Sequence, residues 1–240
     1  MTDPLQGAII FLHGFNKVGK TNLAYGFPQP MRFLATERGH KWAPESVKKR
    51  MISLKPDTGW ADFQKAITKL KTSKAKTVVV DTIDNLYRWA VHSVMEKKHG
   101  PNGPKHPGDI EDFGASWDAC RVGFNRVFSK LGGVCEDIGA TLLIVSHSTY
   151  RTIDGLDSKY DKVMTSLPGQ AQDILLAEPD EIWHMGFGAD PEERILYLMG
   201  REAIQCGSRS PHLMKKQLSL PRDPVKAYRM IAKAYMHKEQ

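Results

Sequence analysis

The chain is poor in cysteine: Cys120, Cys135 and Cys206 are the only three in 240 residues. An odd number without metal-ligand spacing excludes a disulfide framework and a cysteine-rich metal site, and reduced thiols in a cytosol are the expectation. Cys120 and Cys135 lie in an apolar-patterned segment and read as core residues. No apolar run approaches the length of a membrane span. The N-terminal Met-Thr-Asp-Pro lacks the basic and apolar regions of a signal peptide. No membrane partner and a cytoplasmic location follow as expectations. Internal repeats and linker-like stretches are absent too, so residues 1–240 are expected to form one domain large enough for a sizeable core.

Negative charge is scarce toward the end. After Gly207 the acidic residues are Asp223 and Glu239, against Arg209, Lys215, Lys216, Arg222, Lys226, Arg229, Lys233 and Lys238. Most of the formal net charge of +7 therefore sits there. Such a surplus suits a polyanion such as DNA or RNA, and equally a solvated helix face. A basic helix is expected at about 222–238, with Pro224 in its first turn.

What is present is a strong motif. Gly14-Phe15-Asn16-Lys17-Val18-Gly19-Lys20-Thr21 fits G-x-x-x-x-G-K-[ST], between an apolar run at 7–13 and a segment at 21–25 able to open a helix. Strand, glycine loop and helix in that order are the context of a phosphate-binding loop; an ordinary glycine turn is the competing reading. Backbone N–H groups of Gly14, Asn16, Lys17, Val18, Gly19, Lys20, Thr21 and Asn22 would cradle phosphates of ATP. Lys20 would reach the β- and γ-phosphates, and Thr21 would hold Mg²⁺.

Further strands read at 31–36, 51–54, 77–81, 141–145, 182–185 and 194–199, alternating with helical patterns at 60–70, 83–94 and 117–131. Gly132-Gly133 is expected to weaken or bend the last of these. Residues 99–109, with three prolines and three glycines, read as a mobile loop. The alternation implies an α/β fold, a mostly parallel sheet with helices on both faces, and ligands at the carboxyl ends of its strands.

Candidate residues end those strands. Asp81 closes Thr77-Val78-Val79-Val80 in the position of a Walker B acid and would hold Mg²⁺ with Thr21; a helix cap is the alternative. Thr82 would support the metal shell. Glu37, after the second strand, would orient the water that attacks the γ-phosphate, or else pair with Arg38. His147 would sense the γ-phosphate and pass its presence to the next loop. There, Tyr150, Arg151, Lys159, Tyr160 and Lys162 interleave rings with cations, as single-stranded nucleic acid requires. Arg209, after a strand-like 202–206, would act as an arginine finger in its own chain or a neighbour's.

Taken together, GFNKVGKT (14–21), FLATERG (33–39), TVVVDTIDNLYRW (77–89), DFGASW (112–117), LLIVSHS (142–148) and GSR (207–209) resemble the RecA-like ATPases, closest to the phage Sak-type single-strand annealing proteins. The resemblance implies a RecA-like P-loop core and an ATP- and Mg²⁺-dependent ATPase. Such a protein would bind single-stranded DNA and promote strand annealing or pairing in phage recombination. A homo-oligomer, a single-strand binding protein as partner, and the cytosol of a bacterial host are implied with it. Lys20, Glu37, Asp81, His147 and Arg209 carry over as its catalytic set. The loop strand begins near residue 7, so the polymerisation segment of full recombinases is expected to be missing. Two other readings compete: a small-molecule P-loop phosphotransferase, for which no lid arginine cluster is found, and a non-catalytic nucleotide-gated adaptor.

Overall fold

Side-chain alternation along the central strands lets one sheet serve two cores. The computed structural model describes residues 3–37, 39–56, 58–155, 158–200, 202–213 and 215–236. Its strands are β1 (Ile9–Gly14), β2 (Met31–Ala35), β3 (Met51–Ser53), β4 (Thr77–Asp81), β5 (Thr141–Asp154), β6 (Lys159–Thr165), β7 (Glu181–Phe187), β8 (Arg194–Tyr197), β9 (Gly207–Ser208) and β10 (Gln217–Leu220). The helices are α1 (Lys20–Ala24), α2 (Glu45–Lys48), α3 (Gly59–Leu70), α4 (Ile83–His99), α5 (Ala115–Asp137), α6 (Gly169–Ala177) and α7 (Pro224–Tyr235). Phe11, Val78, Val80, Leu142 and Ile144 point to the face covered by α3, α4, α5 and α6. Ile10, Leu12, Val79, Leu143 and Val145, the alternate residues, point to the face covered by α1, α2 and α7. Both faces are buried, which is why these strands read as continuous apolar runs.

The sheet order is β10-β8-β7-β1-β5-β4-β2-β3. β3, β2, β4, β5, β1 and β7 are mutually parallel; β8 and β10 continue antiparallel at one edge. This is the α/β architecture expected, a mostly parallel sheet with helices on both faces. Register brings the carboxyl ends together: Gly14 lies beside His147, and Asp81 beside both Ala35 and Val145.

Two expectations are corrected. The segment at 149–162 is no free loop. β5 runs on from the core as one strand and pairs antiparallel with β6, Ser148 to Thr165 through Asp154 to Lys159, so ladder hydrogen bonds satisfy a backbone that polar composition had assigned to solvent. Gly132-Gly133, expected to weaken or bend its helix, lies inside one continuous α5, where Phe128, Leu131, Val134 and Cys135 bury that turn. Residues 202–206 form no strand; Ile204 makes an isolated bridge to Val163, and pairing resumes only at β9. Cys120 and Cys135 are buried as expected, their thiols pushed up to about 11 and about 12 by that burial. No helix among the described residues is long and apolar enough to cross a membrane. The last helix ends at Tyr235, and residues 237–240 lie outside the described ones.

Candidate functional site

The phosphate loop is shaped by a close backbone approach and by left-handed backbone at two positions. A Cβ on Gly14 would sit 2.4 Å from the Met185 carbonyl. Lys17 and Gly19 hold left-handed φ values of 63° and 106°, and Gly19 opens α1. Val18 is fully buried and anchors the loop in the core, whereas Asn16, Lys17 and Asn22 are exposed around it. Lys20 is only 6% exposed, and its Nζ donates to the carbonyls of Gly14 at 2.7 Å and Phe15 at 2.9 Å. Burial lowers its pKa, opposed by the carboxylates of Asp81, Asp84 and Glu37.

Around that lysine the strand ends converge. Thr21 Oγ1 donates to Asp81 Oδ2 at 2.7 Å. Burial, joined by repulsion from Glu37, lifts the Asp81 carboxyl to about 6 against the Thr21 hydrogen bond. Glu37 Oε1 accepts from Thr82 Oγ1 at 2.9 Å and from His147 Nε2 at 3.0 Å. The His147 hydrogen bond, above all, holds the Glu37 carboxyl below its usual range. Thr82 thus supports the glutamate through its hydroxyl proton, in the same cleft lining as Thr21 and Asp81. Arg38, the alternative partner expected for Glu37, lies outside the described residues.

Asp84, in the first turn of α4, was not foreseen as part of the site. Its Oδ1 accepts from Ser146 Oγ at 3.2 Å and Ser166 Oγ at 2.5 Å, and its Oδ2 from the His147 backbone N–H at 3.2 Å. It fixes the point where β5 leaves the core. His13 does the same from β1: its Nδ1 meets Ser148 Oγ at 2.8 Å, and burial pushes its pKa down to about 3, so it stays neutral. Phe15 of the loop packs on Tyr150 of the hairpin, ring centroids 5.1 Å apart.

Lys20, Thr21, Glu37, Asp81, Thr82 and His147 line a cleft of about 650 Å³ that also takes in Tyr25 and Trp42. Trp42 is 84% exposed, a flat apolar surface at the edge of a polar cleft. Two buried polar atoms in the lining, Tyr25 Oη and His147 Nδ1, have no hydrogen-bond partner among the described residues. Unsatisfied buried groups call for a ligand or solvent partner. A loop ammonium beside a hydroxyl–carboxylate pair is the donor set that a nucleoside triphosphate with a hard divalent cation requires. The residues present thus fit ATP and Mg²⁺, with Lys20 for the phosphates and Thr21 and Asp81 for the metal.

Raising Asp81 has a measurable consequence. A carboxyl whose folded pKa exceeds its unfolded value stabilises fully below about pH 4 and loses that contribution as pH rises to about 6. Without nucleotide or Mg²⁺, Asp81→Asn is therefore expected to be more stable than the wild type at neutral pH, by up to roughly 3 kcal/mol, and no more stable than it near pH 4. Thermal melts across that range check it; an Asn variant no more stable at neutral pH would contradict the burial penalty.

The remaining sequence candidates fall outside the cleft. Arg209 follows β9, which pairs with Glu181 and Ile182 at the amino end of β7, whereas Gly14 pairs with Met185 farther along that strand. Its guanidinium donates to the carbonyls of Ala177 and Glu178, closing the end of α6. It cannot serve as a finger in its own chain. The hairpin residues split by alternation: Arg151, Tyr160 and Lys162 share one half-buried face, and Tyr150 and Lys159 the exposed one. Arg151 Nη2 donates to the Leu167 carbonyl at 2.6 Å, and Lys159 pairs with Asp154 at 3.0 Å.

Comparison with known proteins agrees with this geometry. The chain is similar to the SPbeta prophage-derived uncharacterized protein YorG of Bacillus subtilis (strain 168), 26% identical over 184 residues. That match covers 72% of this chain and 50% of YorG, so the chain spans about half the length of this curated relative. A family model described as AAA domain matches residues 6–210, from just before β1 to just past β9. With the phosphate loop and its acid strand inside that span, the chain belongs to the AAA domain family of P-loop nucleotide-binding proteins.

Proposed function

We propose that the protein is a RecA-like, ATP-dependent ATPase that binds single-stranded DNA and promotes strand annealing or pairing in phage-type recombination, in the cytosol of a bacterial host. The observation that carries this reading is the unbroken course of β5. It leads from the core, through His147 hydrogen-bonded to Glu37 in the cleft, into a hairpin bearing Tyr150, Arg151, Tyr160 and Lys162. A second link runs from the loop itself, through Phe15 against Tyr150. The prophage origin printed in the name of YorG supports a phage setting.

When bound, Mg²⁺ and the triphosphate supply an electrophilic γ-phosphorus with its charge partly neutralised. Lys20 would exchange its two loop carbonyls for phosphate oxygens. Thr21 and Asp81 would hold the metal. Glu37 would orient the attacking water through Oε2, since Oε1 is taken by Thr82 and His147. His147 would report the change along β5. A homo-oligomer belongs to this reading, and Arg209 could meet only a neighbour's cleft. A single-strand binding protein is the further partner expected.

The test is fluorescence anisotropy with labelled oligo-dT. A non-hydrolysable ATP analogue with Mg²⁺ is expected to tighten binding by about 5-fold or more, the usual scale of coupling between sites. Tyr160→Ala should weaken it by about 1–3 kcal/mol if the ring stacks on a base. Absence of any DNA affinity at about 50 mM salt, where backbone contacts are strongest, would refute the proposal.

A further inference from the structure

The hairpin and the last helix both carry bases but hold them differently. On the hairpin, Arg151 is spent on a backbone carbonyl and Lys159 on Asp154, which leaves Lys162. On α7, Lys226, Arg229 and Lys233 are all exposed and fall at i, i+3 and i+7, one stripe of the helix. None of the three side chains makes an ion pair or hydrogen bond with a described residue, and the helix contains no acidic residue. Asp223, just before it, is engaged as the N-cap, accepting from the Lys226 backbone N–H at 2.8 Å.

The stripe is rigidly mounted. Its opposite face is buried, with Tyr235 Oη donating to Glu181 Oε2 at 2.6 Å and accepting from Trp183 Nε1 at 3.0 Å. It also stands on the helix of the phosphate loop. Asn22 Nδ2 donates to the Arg222 carbonyl at 3.2 Å. Gly26 approaches the Pro224 carbonyl so closely that a Cβ there would lie 1.9 Å from it.

Resting on the nucleic-acid reading above, we infer that Lys226, Arg229 and Lys233 are the main surface on which α7 tracks the phosphate backbone of a nucleic-acid strand. At 1.5 Å of rise per residue the stripe spans about 10 Å, about three phosphate steps of a stacked strand. An anionic membrane is the poorer fit, because insertion needs large apolar residues such as Trp, Phe or Leu beside the bases. The exposed apolar residues of α7 are only Val225 and Met230.

The experiment compares salt slopes of oligo-dT binding, between about 50 and 200 mM salt, for the full chain and for Lys226→Gln/Arg229→Gln/Lys233→Gln. Each lost contact to a single strand removes about 0.7 from the slope of log K against log salt. The triple variant is expected to lose about 2, and Lys233→Gln alone about 0.7, with DNA-free ATP hydrolysis and melting temperature unchanged. Unchanged slope and affinity in both variants, while the wild type binds DNA, would overturn the α7 assignment and leave the DNA reading standing. So would a loss confined to phosphatidylglycerol vesicles. A wild type that binds no oligonucleotide would remove both.

Discussion

Lys20→Ala is expected to lower ATP hydrolysis by about 10²–10³-fold or more, the scale on which a single preorganised charge donor contributes to phosphoryl or acyl transfer. The reason lies in the balance of charge around the loop. Lys20 faces Asp81, Glu37 and Asp84, all near enough to act on its titration. Without its ammonium the cleft would present carboxylates alone to a polyanion. Two buried-loop carbonyls, those of Gly14 and Phe15, would lose their side-chain donor at the same time. Both effects oppose binding as well as turnover, so affinity for a fluorescent ATP analogue should fall with the rate. Lys17→Ala is the contrasting variant: Lys17 is exposed at the cleft rim and makes no such hydrogen bonds to the loop, so its loss should change either quantity only a few-fold. Steady-state phosphate release and analogue titration measure the two. Turnover at the wild-type rate in Lys20→Ala would show that this loop does not hold the reacting phosphates.

Much of this site was legible in the sequence because its parts end strands, and strand ends in a parallel sheet share one edge. The runs before Gly14, Glu37, Asp81 and His147 could be read from apolar content alone, and register then forces their last residues together. What could not be read was which way a polar residue turns once there. Thr82 faces Glu37 because the turn into α4 aims it there. Asp84 looked like a first-turn helix residue, and nothing local signals that Ser146 and Ser166 would come to it from 62 and 82 residues away. The hairpin was hidden for a related reason. Thr149 to Asp154 alternates polar with half-buried residues, and β6 answers it in the same way, so neither shows the apolar run that marked the core strands. Arg209 was read by its GSR motif as a finger in either chain; the pairing of β9 with the amino end of β7 removes the own-chain reading and leaves the neighbour's cleft.

Glu37→Gln separates binding from chemistry. The amide keeps an acceptor oxygen for Thr82 and His147, so the wall of the cleft should survive, while the charge proposed to orient and polarise the attacking water is lost. Hydrolysis is expected to fall by about 10²–10⁴-fold, the range for removing a positioned base. Nucleotide affinity should stay within a few-fold, because Lys20 and the loop are untouched. The His147 hydrogen bond holds the wild-type carboxyl below its usual range, so Glu37 stays ionised at neutral pH and should add no acid limb to the rate near pH 6. The variant should therefore accumulate in the ATP-bound form. Its DNA affinity in ATP and Mg²⁺ should match that of the wild type with the non-hydrolysable analogue. His147→Ala gives the complementary result, slow hydrolysis with DNA affinity no longer responsive to nucleotide, since it removes the contact between Glu37 and β5. If Glu37→Gln turned over ATP like the wild type and DNA affinity still followed nucleotide, the water would be activated elsewhere. If neither protein hydrolysed ATP at all while both bound it, the cleft would be the gate of a nucleotide-controlled adaptor.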